Sequence, residues 1–212
     1  MKTKDKILQA ALQLFNEQGF RTVTVENICE KLGISKGNFN YHFRKKESLI
    51  ELLYDSMVAE VNELVSAIPF EDAKVSYFLQ THQALFHIQA KYRFFFLNFF
   101  EILNHYPAIK EKYLQRYELE KTFALQSLKV YMEKGVLRND IRAEELDRII
   151  DVGYVLNNSW AVDAEIHFSG NEHQKMIHYL KLCCGRLEPY LSPEAKKEYL
   201  AYFDRLQKEI PV

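Results

Sequence analysis

One short segment, residues 24–43, has polar side chains whose spacing could bind a nucleic acid. Its first half repeats apolar residues at helical intervals from Val25 onward. Gly33 ends that helix, because glycine adopts a left-handed backbone conformation at little cost. Ser35 is a good N-cap for a second helix. The outward residues of this second helix are a glycine and side chains that hydrogen-bond bases and phosphates: Lys36, Gly37, Asn38, Asn40, Tyr41 and His42.

Two short helices joined by a tight turn predict a helix-turn-helix, in which the second helix enters the major groove of DNA. An ordinary helical hairpin is the alternative interpretation. The small residue Cys29, Gly33 in the turn and the apolar residue Phe39 fit the helix-turn-helix as one pattern. The start of the second helix also offers unpaired N–H groups to a phosphate. The segment therefore predicts DNA binding.

The N-terminal residues resemble the TetR/AcrR family of bacterial one-component transcriptional regulators. The resemblance covers about the first fifty residues and is carried by Gly19-Phe20, Thr24-Val25, Ile28, Leu32-Gly33-Ile34-Ser35, Lys36-Gly37, Tyr41-His42-Phe43 and Lys46-Glu47-Ser48-Leu49. It implies an all-helical homodimer with an N-terminal DNA-binding domain and a C-terminal domain that binds a small molecule and dimerises. Asn40 departs from the family pattern, which usually has a phosphate-contacting tyrosine at this position.

We expect the contacts to DNA to divide into two sets. Lys36, Asn38 and Asn40 are the candidates for contacts to base edges, and Gly37 allows close approach of the backbone. Lys46→Ala is expected to weaken binding to all DNA and to flatten the salt dependence by about one unit. The candidates for phosphate contacts are Thr24, Ser35, Tyr41, His42 and Lys46.

The net charge of −1 over 212 residues conceals an asymmetry along the chain. Residues 1–48 contain nine Lys or Arg and five Asp or Glu, a balance of +4. Residues 49–212 contain nineteen and twenty-four, a balance of −5. A basic N-terminal part suits binding to nucleic acid by counterion release, and the rest of the chain does not share that character.

The composition predicts a soluble, cytoplasmic protein with no contact to a membrane. No apolar run approaches the ~20 residues that span a bilayer, and the basic N-terminus is followed by an amphipathic helix rather than a secretory signal. Three cysteines cannot all pair, and their spacing fits no zinc site. For the neighbours Cys183 and Cys184, two buried reduced thiols are favoured over a redox switch.

Helical periodicity and few Gly and Pro residues predict an all-α fold in two domains. Residues 1–48 form a three-helix helix-turn-helix domain, and residues 49–212 form a helical domain for effector binding and dimerisation. A long helix, which begins near Lys46 and ends before Pro69, joins the two. Further helices are predicted at 3–18, 73–90, 92–106, 107–134, 143–168, 172–187 and 192–209.

Aromatic residues are concentrated in the middle of the chain, with twelve Phe or Tyr between Tyr77 and Tyr117. This density is compatible with plain core packing and with the walls of a ligand pocket. Two interpretations likewise remain for His82: a core histidine with a satisfied hydrogen bond, or a contact to a ligand. The candidate pocket residues are His82, Phe86, Phe95, Phe99, Leu103, Tyr117, Asn157 and Trp160.

The helices at 143–168 and 172–187 are apolar around most of their circumference, which requires burial on two sides. A two-fold interface between identical chains meets this requirement. We therefore expect a homodimer that binds a palindromic operator and is released, as a repressor, by a small apolar or aromatic effector. In the alternative, the C-terminal domain of a DNA-binding protein recognises a protein partner instead of a small molecule.

The sequence contains no arrangement of residues that predicts an enzyme. The seven histidines are scattered, and there is no HExxH motif, glycine-rich phosphate loop or Cys-His signature. We expect no catalytic residues, no bound metal and no cofactor.

Overall fold

The computed structural model describes residues 2–69 and 72–209, and within these ranges the chain is all-helical, as predicted. Leu137 and Leu191 form an isolated antiparallel β-bridge. A short 3-10 helix occupies Glu188–Tyr190. The α-helices are α1 Thr3–Gln18, α2 Val25–Leu32, α3 Lys36–His42, α4 Lys46–Ser66, α5 Val75–Lys91, α6 Arg93–Leu97, α7 Phe99–His105, α8 Pro107–Glu133, α9 Ala143–His167, α10 Glu172–Gly185 and α11 Pro193–Lys208.

The chain divides into two compact units. The first unit combines Met1–Asn62 with Ile88–Lys112, and the second combines Glu63–His87 with Tyr113–Val212. Helices α4, α5 and α8 each contribute residues to both units. The boundary predicted after residue 48 separates a DNA-binding part from an effector-binding part, whereas the two compact units are defined by contacts within the chain. The functional boundary stays a prediction.

One part of the core of the first unit forms between α1 and α6. Ile7 and Phe15 of α1 are buried, and the Phe15 ring lies 5.3 Å from the ring of Phe94. Asn16 fixes the adjoining backbone, because its amide donates to the carbonyl of Lys91 at 2.8 Å and accepts from the N–H of Phe94 at 3.0 Å. These polar contacts and the apolar core together hold α6 against the N-terminal helices.

The single helix predicted over residues 92–106 is interrupted at Asn98. Its backbone leaves the helical region, at φ −122° and ψ 24°, so that α6 ends and α7 begins there. The Asn98 amide donates to the carbonyl of Phe94 at 2.7 Å. Asparagine side chains compete with backbone donors for such carbonyls, which accounts for the break in an otherwise helical pattern.

An aliphatic cluster forms the core of the second unit. The α8–α9 connection and α9 supply most of it, and Phe78 and Tyr154 pack against its edge. A second set of contacts is aromatic: the rings of Phe86 and Trp160 stack at 4.2 Å, and those of Tyr199 and Phe203 lie 5.0 Å apart. The buried members of the aliphatic cluster are Leu128, Leu137, Ile141, Leu146, Ile149, Ile150 and Leu187.

The cysteines are free and buried. Burial raises the pKa of the Cys183 thiol to about 11 and raises that of Cys184 further. A thiol that stays protonated is a poor nucleophile. This favours the inert structural role over the redox switch for Cys183 and Cys184.

Candidate nucleic-acid interface

Side-chain caps and one glycine define the geometry of α2, the turn and α3. Thr24 caps α2, with its hydroxyl accepting from the N–H of Asn27 at 3.3 Å and the Asn27 side chain accepting from the Thr24 N–H at 2.9 Å. Gly33 adopts the left-handed conformation, at φ 64° and ψ 33°. Ser35 then caps α3 by accepting from the N–H of Asn38 at 3.1 Å. The predicted helix-turn-helix is therefore present.

Packing of α3 determines which of its side chains remain available to a ligand. Phe39 is fully buried, Phe43 is nearly so, and their rings lie 5.9 Å apart. The opposite side of the helix is exposed, with 85% of Tyr41 accessible. The exposed residues of the interface are Thr24, Ser35, Lys36, Gly37, Asn38, Asn40 and Tyr41, whereas His42 and Lys46 are half-buried.

An ion pair on this surface joins the two helices of the motif. The ammonium of Lys36 on α3 contacts the carboxylate of Glu26 on α2, and both side chains are exposed. Hydrogen bonding between them lowers the pKa of Glu26 and raises the pKa of Lys36. Exposed pairs of this type are weak and are screened by salt. Lys36 can therefore exchange Glu26 for a base or a phosphate at small cost.

Lys46 is oriented differently from the prediction for a phosphate contact. Its ammonium donates to the carbonyl of Phe20 at 2.7 Å and to that of Val23 at 2.9 Å, and the carbonyl of Arg21 lies at 3.5 Å. Partial burial lowers the pKa of this ammonium. In this geometry Lys46 stabilises the loop between α1 and α2, so its contact to DNA stays a prediction.

Lys46→Met is expected to lower the free energy of unfolding of the first unit by about 1–2 kcal/mol, because the loop carbonyls lose a charged donor. Urea denaturation followed by circular dichroism measures this change. The matched control is Lys45→Met, whose exposed side chain precedes Lys46 and whose removal should change stability by less than about 0.5 kcal/mol. Equal stability of the two variants would contradict the role of Lys46 in stabilising the loop. If Lys46→Met leaves the salt dependence of DNA binding unchanged, Lys46 is not a phosphate contact.

One candidate contact was not predicted from the motif. The ammonium of Lys4 on α1 lies 5.8 Å from the ring centroid of Phe43, which follows α3. A basic side chain from the start of the chain therefore lies beside the end of the exposed helix. The cluster of lysines at positions 2, 4 and 6 was the signal available in the sequence, but only the packing of α1 shows which lysine lies near α3.

The candidate pocket residues are divided between the two units. In the first unit, the rings of Phe95 and Phe99 lie 5.7 Å apart, and Phe95 is buried beside Tyr54 in the core. Leu103 in the same unit is half-buried. These neighbours account for Phe95 by plain core packing, and its role in a pocket stays a prediction.

The remaining pocket candidates belong to the second unit. Phe86 stacks on Trp160, and the ring of Tyr117 lies 4.6 Å from that of Tyr154. Asn157 is half-buried. His82 is bound at both ring nitrogens, with Nδ1 2.9 Å from the carbonyl of Phe78 and Nε2 3.2 Å from the guanidinium of Arg186. His82 therefore has satisfied hydrogen bonds, as the core interpretation predicts, and it lies beside the half-buried cation of Arg186. Its contact to a ligand stays a prediction.

Two further properties concern the described part of the chain as a whole. Among its helices, none combines the length and the apolar character that crossing a bilayer requires. Within residues 2–69 and 72–209, no three His, Cys, Asp or Glu side chains are grouped as ligands of a metal ion would be.

The capped helix pair with an exposed polar second helix defines a helix-turn-helix protein. Residues 7–53 match the family model described as bacterial regulatory proteins of the tetR family, and residues 56–199 match the TetR model described as bacterial transcriptional repressor. The second match alone covers more than half of the chain. The chain therefore belongs to the TetR family of bacterial transcriptional regulators.

Similarity to individual proteins is more limited in extent or identity. The HTH-type transcriptional regulator UidR of Escherichia coli (strain K12) is 33% identical over 87 residues, which span 39% of this chain and 44% of UidR. The alignment thus spans less than half of that relative. A TetR-family transcriptional regulator from Marinobacter aquaeolei VT8 has the same fold, with a TM-score of 0.83 at 22% identity over 97% of this chain and 99% of that one.

A third similar protein was solved with DNA. CprB from Streptomyces coelicolor, in complex with its biological operator sequence, matches with a TM-score of 0.71 at 16% identity over 98% of each chain. At these identities the structural matches establish a shared fold. They do not transfer an operator or a ligand to this chain.

Proposed function

We propose that this protein represses transcription by binding a palindromic DNA operator as a homodimer. Helix α3 of each protomer enters the major groove, and the two helices contact half-sites about 34 Å apart, one turn of the duplex. A small effector with an apolar or aromatic body binds the C-terminal part of the chain and releases the operator.

The exposed face of α3 is the observation that carries this proposal. Tyr41 leaves 85% of its surface exposed although aromatic residues usually bury most of theirs. It is flanked on the same helix by amide and ammonium side chains that match base edges and phosphates. The cap of α3 at Ser35 and the burial of Phe39 hold this face in a single orientation.

The proposed contacts to bases and phosphates come from the exposed face of α3 and from residues near it. Lys36, Asn38 and Asn40 are exposed and are proposed to contact bases, and Gly37 lets the backbone approach the duplex. The proposed phosphate contacts are Thr24, Ser35, Tyr41 and His42, joined by Lys4. Repression is supported by the description of the matching family model, and the operator-bound relative CprB supports the mode of DNA binding.

The dimer proposal is supported by an apolar stripe on α9 that the single chain leaves exposed. Its members follow one another at intervals of three, seven and four residues, so they share one face of the helix. Leu182 on α10 is also exposed. A second copy of the chain would cover these side chains. The α9 residues are Val152, Val155, Val162 and Ile166.

Release by an effector requires that the ligand favours one separation of the two recognition helices over another. Three residues separate the end of α3 from the start of α4, and α4 contributes residues to both compact units. A ligand that changes the position of α4 would therefore change the position of the helix-turn-helix. This link is the proposed route from effector to operator.

Fluorescence anisotropy with the DNA upstream of the gene for this protein tests the proposal. We expect a dissociation constant below about 100 nM at physiological salt and at least a thousandfold weaker binding to a scrambled duplex of equal length, as for specific DNA-binding proteins. Equal affinity for the two duplexes would contradict sequence-specific regulation of the neighbouring gene. A reporter assay from the same promoter, with and without the protein, then measures repression.

A further inference from the structure

Arg186 places a guanidinium group inside the second unit with incomplete hydrogen bonding. Its Nη1 donates to the carbonyl of Cys183, and its Nη2 donates to Nε2 of His82 at 3.2 Å. The guanidinium carbon lies 5.7 Å from the ring centroid of Phe78. The remaining donor, Nε, is buried and has no acceptor among the described residues.

The charge of this group is also incompletely balanced. Arginine stays protonated in proteins, and buried charges are normally paired with an opposite charge. Among the carboxylates of residues 2–69 and 72–209, none forms an ion pair with Arg186. The carbonyl of Cys183 and the ring of Phe78 supply only partial negative charge. The guanidinium of Arg186 is thus a cation with no carboxylate counter-ion among the described residues.

His82 contributes an acceptor and no charge. Its Nδ1 donates to the carbonyl of Phe78 at 2.9 Å, so Nε2 holds the lone pair that accepts from Arg186. Burial, and secondarily the neighbouring Arg186, lower the pKa of His82 to about 3. The ring is therefore neutral at physiological pH and serves to hold the guanidinium in position.

Gly153 on α9 provides the space in which this guanidinium lies. A Cβ at position 153 would lie 2.7 Å from Nε and 2.9 Å from the guanidinium carbon of Arg186. Phe78, whose ring lies beside the guanidinium, also packs against the aliphatic cluster of the second unit. A molecule that reaches Nε would therefore meet the cation next to the ring of Phe78 and the backbone of Gly153.

We propose that Arg186 binds the carboxylate of the effector, so that the sensed molecule is a monocarboxylate with an apolar body. Nε and Nη2 form one edge of the guanidinium, and two parallel donors on such an edge match the two oxygens of a carboxylate. A single cation neutralises one negative charge, which favours a monoanion over a phosphate dianion. This inference rests on the proposed function, because it specifies the chemistry of the effector.

Calorimetric titration of the full chain with matched acids and amides tests the proposal. The probes are octanoate with octanamide and 3-phenylpropanoate with 3-phenylpropanamide, each pair alike except for the charge. We expect at least one acid to bind about tenfold or more tightly than its amide, because hydrogen bonds to a charged group are stronger than neutral ones. Absence of an acid preference in both pairs, including absence of binding, would overturn the proposal.

Three variants assign the preference to this site. Arg186→Met should abolish it, and Gly153→Ala should reduce it by displacing the guanidinium. Arg205→Met should retain it, since Arg205 also lies over an aromatic ring, that of Tyr202, but is exposed. Retention of the acid preference in Arg186→Met would overturn the assignment.

Stability without ligand separates a binding role from a purely structural one. Arg186 is half-buried with a buried Nε, and replacing its unpaired charge by an apolar side chain of similar length should leave the melting temperature unchanged or raise it. A lower melting temperature for Arg186→Met, with equal binding of acid and amide by the native chain, would assign Arg186 to capping of α10. Operator binding without an acid preference would refute this inference alone, whereas acid binding without operator binding would refute the proposed function.

Discussion

Replacement of Tyr41 by alanine is expected to weaken operator binding about a hundredfold while leaving the melting temperature unchanged. Each of the two recognition helices in a bound dimer would lose one contact of about 1–1.5 kcal/mol, and the two losses add. Stability should be unaffected because 85% of the Tyr41 surface is exposed. Anisotropy with the upstream duplex and a thermal melt of the free protein measure the two quantities.

Phe100 provides a matched control for Tyr41. It is an aromatic residue of the same unit, is 79% exposed and lies on α7 rather than on the recognition helix. Phe100→Ala should change operator affinity by less than about twofold, as expected for a side chain that contacts no DNA. Equal losses in the two variants would show that the effect of Tyr41→Ala does not arise from a contact on α3.

The double variant Val155→Asp with Ile166→Asp is expected to convert the proposed dimer to monomers. The two side chains are 66% and 68% exposed in the single chain, so carboxylates at these positions leave its core intact. In a dimer they would replace four buried aliphatic side chains by charges. The dissociation constant of the dimer should rise by more than about a thousandfold, and operator affinity should fall with it. Sedimentation velocity measures the mass in solution.

A second double variant controls for surface charge. Leu119→Asp with Leu200→Asp introduces the same charges at exposed leucines on α8 and α11, outside the proposed interface. This variant should remain dimeric. Dimers in both variants would contradict an interface through α9, and monomers in both would show that the effect is not specific to the stripe.

The fold was predictable from the sequence where structure depends on neighbouring residues. The cap at Ser35 and the left-handed Gly33 each act within four residues, and the structure has them where the sequence predicts them. The break at Asn98 is also a local effect, but helical periodicity on both sides conceals it. An asparagine amide that binds a carbonyl four residues earlier leaves no trace in the apolar pattern.

Side-chain roles that depend on distant residues were not predictable in the same way. The orientation of Lys46 depends on loop carbonyls 23 and 26 residues earlier in the chain. Arg186 and His82 are separated by 104 residues, and the sequence analysis singled out only His82. In both cases the type of residue was informative, but its partner is determined by the packing of helices that are remote in sequence.

The hydrogen bonds of Lys46 also limit how the helix-turn-helix can move relative to α4. The Lys46 ammonium joins the first turn of α4 to the carbonyls of Phe20 and Val23, in the loop that precedes α2. A movement of this turn would therefore move the start of α2 with it. The three N-terminal helices would then travel as one rigid piece. In the proposed switching between bound and released states, the position of this group of helices on the duplex would change, and the exposed surface of α3 would stay intact.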